Sequence, residues 1–251
     1  MGTVREQMRA SGIAAEPEYY GRLVSEPDGG PEWDGLIERL TNHETSFFRH
    51  PPSFEALRTS ILPELRDRRA PGGRISVWSA GCSTGQEAYS LAMLAADTAA
   101  SAPDVMVWGS DISHSAIKIA RSGRYGHRAV ATVPAGYRER FFRSAGDDSM
   151  EFDVVDDLRQ RVRFRTTNLV EPVGFQPSHD IIFCHNVLIY FSPAAVTRAV
   201  TWLASCLAVG GFLLLGPGEA PSERPAGLEA IAVNGVRVFQ RRSARIAEVK
   251  R

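Results

Sequence analysis

The feature that most constrains this chain is an alternation of two patterns that begins at residue 74. Apolar, β-rich runs (RISVWSA, VMVWGSD and HDIIFCHNVLIYF) alternate with segments of helical spacing, of which SHSAIKIARSG and PAAVTRAVTWLASCLA are the clearest, and GGFLLLG and GVRVFQR end the series. Strands that are apolar along their whole length and separated by helices are typical of parallel sheets buried on both faces. The sequence therefore predicts an α/β fold with a mostly parallel sheet and helices on both faces.

The pattern changes near residue 40, where we place a domain boundary. Residues 1–40 carry spaced apolar positions interrupted by SEPDGGPE, which predicts two short helices and a turn, too small a unit to fold alone. Residues 41–251 form the α/β domain in this interpretation. Within it, FDVVDDLRQRVRFRT has short alternating runs that favour antiparallel strands, so an inserted β-subdomain is predicted at roughly residues 137–167.

Composition excludes several classes of protein. The 29 basic and 29 acidic side chains balance, so no nucleic-acid partner is expected. No run approaches the ~20 apolar residues of a spanning helix, and the N-terminus lacks an apolar signal core, so we expect a protein that is not itself embedded in a membrane. The three cysteines are odd in number and lack metal-ligand spacing, which argues against a disulfide framework and any metal site and favours the cytoplasm. The oligomeric state stays open.

The first β-run ends in SAGCSTGQE, a stretch of small residues that leads into a helical pattern. Gly81 and Gly85 let the backbone turn sharply and let a ligand approach without meeting a Cβ atom. In open α/β sheets, ligands bind beyond the carboxyl ends of the strands. Asp111, at the end of the next run, is an acid suited to ribose hydroxyls. The glycines alone are better explained by a tight turn, but together with Asp111 they predict a nucleoside site.

The glycine-containing stretch differs from two common nucleotide-binding motifs. It is not the GxGxxG of dinucleotide enzymes, and it lacks the lysine of GxxxxGK[ST] that contacts a triphosphate. The motif therefore points away from NAD and from ATP.

Six blocks carry a family resemblance: TNHETSFFRHPPSFEAL, VWSAGCSTGQEAYSLAM, SDISHSAIKIARSGRY, VRFRTTNL, DIIFCHNVLIYF and GGFLLLGPGE. In order and spacing they resemble the chemotaxis receptor methyltransferases, the CheR family, over roughly residues 10–220. The resemblance implies a class I methyltransferase (Rossmann-like) sheet, a small helical N-terminal domain and a small antiparallel β-subdomain. It also implies S-adenosylmethionine as cofactor, S-adenosylhomocysteine as product, and methyl esterification of glutamate in a chemoreceptor or related signalling protein, which brings the enzyme to membrane receptors.

The resemblance also implies a set of site residues. Arg49 is suited to the methionine carboxylate of the cofactor, Glu87 to its ammonium group and Asp111 to its ribose. Asn168 and Leu169 would border the adenine. The implied cofactor-binding residues are His43, Thr45, Arg49, Gly81, Glu87, Asp111, Asn168, Leu169, His185 and Asn186, and the implied catalytic residues are Tyr190, beside the transferring methyl group, and Arg49.

Three of these residues also have a purely structural explanation. Arg49 could pair with Glu44 or Glu55 on the surface, where ion pairs are weak. Tyr190 could be an ordinary core aromatic, and Asn168 could cap a turn. The ordered blocks favour the functional interpretation.

The chain departs from the family pattern at four places. His43 stands where the family has asparagine, with Asn42 displaced by one position, and GPGE (residues 216–219) replaces GHSE. His185 replaces an arginine, so a group whose unperturbed pKa is ~6.5 replaces a permanent charge, which predicts pH-dependent activity. Only about 40 residues precede the first block, which predicts a reduced helical domain and puts receptor recognition in question.

The chemistry leaves three functions open. A glutamate carboxylate, with an unperturbed pKa of ~4.3, is ionised at pH 7, so methyl transfer to it needs no general base. The first hypothesis is therefore an active protein-glutamate O-methyltransferase. The second is a cofactor-binding regulatory or scaffold protein of the same fold with little or no transferase activity. A small-molecule carboxyl methyltransferase is the third.

Overall fold

The computed structural model describes residues 2–27, 30–70, 73–97, 104–146, 149–171, 178–221, 223 and 225–242. Helices and strands alternate over most of these ranges, as the sequence predicts. Within the same ranges, no helix combines the length and the apolar character that crossing a bilayer requires.

The N-terminal region forms three helices: α1 (Gly2–Ala10), α2 (Glu16–Ser25) and α3 (Pro31–Leu40). They enclose a small core of their own, made of Met8, Ile13, Tyr19, Leu23 and Leu36. The sequence predicted two helices here and missed α1. The reason is that Met8 is the one apolar residue of that helix that is buried among those described, so the apolar periodicity of α1 is weak.

The α/β region follows in chain order. Its elements are α4 (Pro51–Ala56), a π-helical turn (Leu57–Ile61), α5 (Leu62–Asp67), β1 (Arg74–Ala80), α6 (Gln86–Asp97), β2 (Asp104–Asp111), α7 (His114–Ser122), β3 (Arg124–Gly126), α8 (His127–Val130), α9 (Ala135–Phe141), β4 (Phe142–Ser144), β5 (Glu151–Val154), α10 (Asp156–Arg159), β6 (Val162–Thr166), β7 (His179–Cys184), a 3-10 turn (Leu188–Tyr190), α11 (Pro193–Ser205), β8 (Leu207–Leu215), β9 (Leu228–Val233) and β10 (Val236–Arg241).

The large sheet has seven strands in the order β6-β2-β1-β7-β8-β10-β9. The first five are parallel to their neighbours, and β10 runs antiparallel to both β8 and β9. This mostly parallel sheet confirms the predicted α/β class. The strand order reverses at β1: the chain passes from β1 to β2 and β6 on one side, then returns to β7 on the other. The carboxyl ends of β1 and β7 therefore border a topological switch point.

Both faces of the sheet are buried. Ile75 and Val77 of β1 contribute to one hydrophobic cluster together with residues of α4, α5 and α6. Trp78 and Ala80 of the same strand contribute to a second cluster with residues of α11. Because successive side chains of a strand point to opposite faces, this division shows that helices cover the central strands on both sides.

The small antiparallel sheet has the order β3-β5-β4 and spans residues 124–154, so it begins before residue 137 and ends within the predicted range of 137–167. The prediction of antiparallel strands for residues 152–166 is wrong for β6, which pairs in parallel with β2 in the large sheet. The physical reason is position. As an edge strand, β6 has a buried Val162 beside an exposed Arg163, and such alternation is also typical of antiparallel strands with one wet face.

Candidate active site

A cleft lies at the topological switch point, beyond the carboxyl ends of β1, β2, β6 and β7. The segment that follows α3 also contributes to its lining. All eleven residues predicted for the site line this one cleft: His43, Thr45, Arg49, Gly81, Glu87, Asp111, Asn168, Leu169, His185, Asn186 and Tyr190. The fold therefore brings together residues that are up to 147 positions apart in the chain.

The turn after β1, residues 81–85, is called the glycine turn below. Gly81, Ser83 and Gly85 all have positive φ angles, of 81°, 49° and 97°. The backbone N–H groups of Gly81 and Cys82 both donate to the carbonyl of Ser110, at 2.7 and 2.8 Å, which ties the turn to the end of β2. Because a left-handed backbone conformation favours glycine, the conformation of this turn explains why the motif contains glycines at positions 81 and 85.

Asp111 lies between the glycine turn and the start of α7. One carboxylate oxygen, Oδ2, accepts the backbone N–H of Ser83 at 2.8 Å, and the other, Oδ1, accepts that of Ser113 at 3.0 Å. A carboxylate has about four lone-pair positions, so each oxygen retains capacity for a further donor. Asp111 is therefore held in place by the backbone and can still accept hydrogen bonds from a diol.

Glu87 lies in the first turn of α6 and accepts a hydrogen bond of 2.7 Å from Ser79 on β1. Its side chain is half-buried at the edge of the cleft, and the desolvation of its carboxyl group is the main reason why the pKa of Glu87 is raised to about 8. The hydrogen bond from Ser79 and the charge of Arg49 lower the pKa, whereas the charge of Glu219 raises it. A cation placed beside Glu87 would favour its ionised form.

Arg49 lies in the segment between α3 and α4. Its Nη1 donates to the carbonyl of Glu44 at 2.8 Å, and its Nη2 is 3.9 Å from the Glu44 carboxylate. The alternative pairing with Glu55 is wrong, because Glu55 forms its ion pair with Arg58. The Arg49 side chain is 40% exposed. The surface pair with Glu44 is thus real, and it leaves part of the guanidinium accessible at the cleft.

His43 lies next to the glycine turn, since its carbonyl accepts the Ser83 hydroxyl at 3.2 Å. Its ring Nε2 is 3.1 Å from the hydroxyl of Thr41 and 3.4 Å from the carboxylate of Glu38 on α3. Glu38 also accepts hydrogen bonds from Ser113 and Ser115 at the start of α7. The helical N-terminal region is therefore joined to the cleft through α3.

His185 is buried directly after β7. Its ring lies 4.1 Å from that of Phe183 and 5.5 Å from that of His50, measured between centroids. Burial is the main cause, and the charge of His50 a smaller one, of the lowering of the pKa of His185 to about 3. The prediction that His185 changes charge near pH 6.5 is therefore wrong, because the imidazole stays neutral across the physiological range.

Asn168 and Leu169 follow β6. The side-chain oxygen of Asn168 accepts the backbone N–H of Val170 at 2.9 Å, so the turn-capping explanation holds for that atom. The side-chain NH2 group of the same residue is a donor of the kind that an adenine ring nitrogen accepts. Leu169 is buried and provides an apolar surface beside it.

The segment of residues 186–190, called the rim turn below, leads from β7 to Tyr190. Asn186 has a φ of 59°, and Tyr190 is 61% exposed, so Tyr190 is not a core aromatic. The hydroxyl of Tyr190 is 3.4 Å from the amide nitrogen of Asn42, the asparagine displaced by one position in the sequence. Sequence reasoning missed this contact between two parts of the cleft lining.

Sequence reasoning also missed Glu219. This carboxylate lies after β8, and it accepts hydrogen bonds from the backbone of the rim turn. The sequence singled out GPGE only as a departure from the family pattern. Nothing local to residues 216–219 indicates a partner about 30 positions earlier.

Comparison with known proteins identifies the family. The model of the CheR methyltransferase SAM-binding domain matches residues 43–234. The chain belongs to the CheR methyltransferase family. The resemblance found in the sequence blocks is thereby confirmed, the seven-stranded sheet is that of a class I methyltransferase, and the cofactor is S-adenosylmethionine.

Relatives with curated names agree with this assignment. A chemotaxis protein methyltransferase of Vibrio parahaemolyticus is 38% identical over 189 residues, which is 73% of this chain and 67% of that protein. A probable chemotaxis protein methyltransferase of Rhizobium etli is 33% identical over 220 residues, covering 86% of this chain and 82% of the relative. The probable biofilm formation methyltransferase WspC of Pseudomonas aeruginosa is 33% identical over 246 residues, covering 96% of this chain and 56% of WspC.

The described residues of this CheR-family cleft fit the cofactor chemically. Asp111 retains lone pairs for a ribose diol. Glu87 is a carboxyl group whose burial an ammonium ion would offset, and the partly exposed Arg49 can meet a carboxylate. A nucleoside with an amino-acid tail needs these three kinds of group together.

Proposed function

We propose that this CheR-family chain transfers the methyl group of S-adenosylmethionine to glutamate side chains of a chemoreceptor or a related signalling protein, forming glutamyl methyl esters. The observation that carries the proposal is the arrangement of one cleft. It combines acceptors for the cofactor, Asp111 and Glu87, with a tyrosine, Tyr190, that is exposed to an incoming protein. The names of the relatives, which refer to chemotaxis, support the choice of acceptor.

The proposed roles follow from the chemistry of the lining residues. Asp111 accepts the ribose hydroxyls, Glu87 accepts the ammonium group and Arg49 binds the methionine carboxylate. Asn168 and Leu169 border the adenine. The segment containing His43 and Thr45 and the glycine turn with Gly81 close the site around the ligand, while His185 and Asn186 line it from the side of β7.

The acceptor chemistry needs positioning rather than proton removal. When bound, S-adenosylmethionine supplies a methyl group on a positively charged sulfur, and an ionised glutamate can attack that carbon directly. The buried His185, with a pKa near 3, is a poor base for an amine or alcohol acceptor, which favours an acceptor that is already ionised. Arg49 and Tyr190 act in this proposal by orienting the reacting groups.

Magnitudes support this division of labour. Alignment of two reactants supplies up to ~7 to 11 kcal/mol of barrier lowering, whereas one neutral hydrogen bond contributes about 1 kcal/mol. The hydroxyl of Tyr190 therefore has its largest effect by fixing the approach of the acceptor to the methyl group. Neutralisation of the two charges during transfer favours a cleft that excludes water.

A methyl-labelling experiment tests the proposal. The protein is incubated with a radiolabelled methyl donor and extract of the source cell, and the labelled bands are treated with mild alkali. We expect labelled protein bands whose label is released as volatile methanol, because methyl esters hydrolyse in alkali. Label confined to low-mass acids would indicate a small-molecule carboxyl methyltransferase instead. Binding of S-adenosylhomocysteine without any labelling would indicate the regulatory or scaffold protein. The cytoplasmic location expected from the sequence belongs to the same proposal.

A further inference from the structure

Glu219 is a buried acidic side chain that the proposed chemistry does not use. It ends the turn of residues 216–219 after β8, in which its N–H donates to the carbonyl of Gly216 at 3.1 Å, and it is only 4% exposed. It does not belong to the described lining of the cleft. A carboxylate is costly to bury unless its oxygens are hydrogen-bonded, so its partners indicate its role.

The partners of Glu219 are four consecutive backbone N–H groups of one turn. Its Oε2 accepts the N–H of Asn186 at 2.7 Å. Its Oε1 accepts those of Val187 at 2.8 Å, Leu188 at 2.7 Å and Ile189 at 3.3 Å. Hydrogen bonds to an ionised acceptor are stronger than neutral ones, so this set holds the rim turn more firmly than its own backbone bonds do.

The local backbone is shaped for this contact. Asn186 has a φ of 59°, a conformation that asparagine tolerates better than most residues and that helps to aim successive N–H groups at one point. Gly216 leaves the space that the carboxylate occupies, because a Cβ atom there would collide with Oε2 of Glu219 and lie 3.2 Å from the nitrogen of Asn186. Residues on both sides of the contact are thus adapted to it.

The rim turn carries three residues of the cleft lining, Asn186, Val187 and Tyr190. The Tyr190 side chain is mostly exposed, and the hydrogen bond that its hydroxyl accepts from Asn42 is long at 3.4 Å. Its position must therefore come mainly from the backbone that precedes it. The last N–H bound by Glu219 belongs to Ile189, the residue immediately before Tyr190.

We propose that Glu219 is a positioning residue for methyl transfer: by binding the four N–H groups of residues 186–189, it sets where Tyr190 stands at the mouth of the cleft. The inference rests on the proposed function, in which Tyr190 orients the acceptor. Glu219 acts through the rim turn and does not contact the donor or the acceptor. Loss of its charge therefore lowers the rate of transfer more than the affinity for S-adenosylhomocysteine.

The first variant that tests this is Glu219→Gln, which keeps the size of the side chain but places an NH2 group against backbone donors. Hydrogen exchange of the amides of residues 186–189 is measured in the free protein, and we expect it to become at least about tenfold faster. The matched control is Glu229→Gln on β9, whose carboxylate accepts a hydrogen bond from Arg242. The control should leave exchange in the rim turn unchanged. Unchanged exchange in Glu219→Gln would overturn the proposal.

Gly216→Ala is a second variant that displaces the carboxylate without changing its charge, and it is used if Glu219→Gln does not fold. It should reproduce the faster exchange at residues 186–189. Both variants should bind S-adenosylhomocysteine within about threefold of the wild type in calorimetry. An affinity loss as large as the loss of transfer rate would assign Glu219 a general structural role instead.

A double variant tests whether Glu219 acts through Tyr190. The initial rate of label transfer to extract protein is compared for Glu219→Gln, Tyr190→Phe and the combination. If Glu219 positions the tyrosine hydroxyl, the double variant is slower than Tyr190→Phe by much less than the factor that Glu219→Gln costs alone. Independent, multiplying factors would overturn the proposal. A wild-type protein without transferase activity would contradict the proposed function, whereas the exchange experiment would still test the contact.

Discussion

Two carboxylates near the cleft bind backbone N–H groups in different ways. Asp111, after β2, accepts one N–H on each oxygen and borders the cleft. Glu219, after β8, accepts four N–H groups and lies behind the lining. Asp111 can therefore accept further hydrogen bonds from a ligand, whereas the hydrogen bonds that Glu219 accepts come from the protein backbone. The part of the cleft around Asp111 and Glu87, called the binding side below, can therefore accept hydrogen bonds from a ligand, whereas the conformation of the rim turn is fixed by Glu219.

The largest effect expected on the binding side is that of Asp111→Ala. The variant loses the proposed acceptor for the ribose hydroxyls and leaves the N–H groups of Ser83 and Ser113 without their carboxylate. Hydrogen bonds to a charged group are worth ~1.5 to 3 kcal/mol each, so we expect affinity for S-adenosylhomocysteine to fall by about 100-fold or more. Calorimetry measures this, with Asp157→Ala, an exposed residue of α10, as control. Binding within threefold of the wild type would remove Asp111 from the site.

Tyr190→Phe is the corresponding change at the rim turn. It removes one hydroxyl from an exposed ring, so we expect the rate of label transfer to fall by about tenfold while affinity for S-adenosylhomocysteine stays within about twofold. Tyr20→Phe, an exposed tyrosine of α2, is the matched control. Equal losses of rate and affinity in Tyr190→Phe would show that the binding side and the rim turn do not have separate roles.

The substitution Glu87→Gln should have a smaller, pH-dependent effect on the affinity for S-adenosylhomocysteine. Because its pKa is raised to about 8, the free protein holds Glu87 neutral at pH 6.5, where it differs little from glutamine. We expect wild type and Glu87→Gln to bind S-adenosylhomocysteine about equally at pH 6.5, and the wild type to bind about fivefold more tightly at pH 8.5. Because both proteins are measured with the same ligand at the same pH, any change in the ligand's own protonation affects both affinities equally and does not change their ratio. A constant ratio across the range would exclude an ammonium contact at Glu87.

The stability of the free protein gives a check on the same group. Between pH 4.5 and about 8, folded Glu87 retains a proton that the unfolded chain has lost. The contribution of this group to the free energy of unfolding is therefore complete below pH 4.5 and is lost as the pH rises through about 8. The melting temperature of Glu87→Gln should rise relative to the wild type between pH 6 and pH 9.

The smallest effect is expected where the helical N-terminal region meets the binding side. Glu38→Gln weakens the hydrogen bonds to Ser115 and Ser113, which lower the pKa of Glu38. As the group is partly exposed, we expect a loss of less than about 1 kcal/mol in the free energy of unfolding. The loss should be present at pH 7 and disappear as the pH falls through the lowered pKa of Glu38. A large loss of cofactor affinity in this variant would show that α3 is part of the binding side.

Much of this architecture could be predicted from the sequence, and the exceptions have physical causes. The apolar runs predicted the central strands, and the position of Asp111 at the cleft could be predicted because a strand end next to a small-residue turn is where ligands bind in such folds. The charge state of His185 could not be predicted, because it depends on burial against Phe183, and the sequence shows the residue but not its surroundings. Glu219 was missed because its hydrogen-bond partners are backbone N–H groups of residues 186–189, about 30 positions earlier in the chain, and a backbone contact leaves no signal in the sequence.

The pairing of β7 with β8 has a consequence for how the enzyme matures. Cys184 lies opposite Leu215 at the ends of these strands, and this register places the turn that carries Glu219 beside the backbone that leads to Tyr190. The two strands are separated by α11, so the pairing of Cys184 with Leu215 joins positions 31 apart, which makes it less local than the contacts within a helix. If Glu219 positions Tyr190 as proposed, we expect a refolding chain to regain transfer activity only after β7 and β8 have paired.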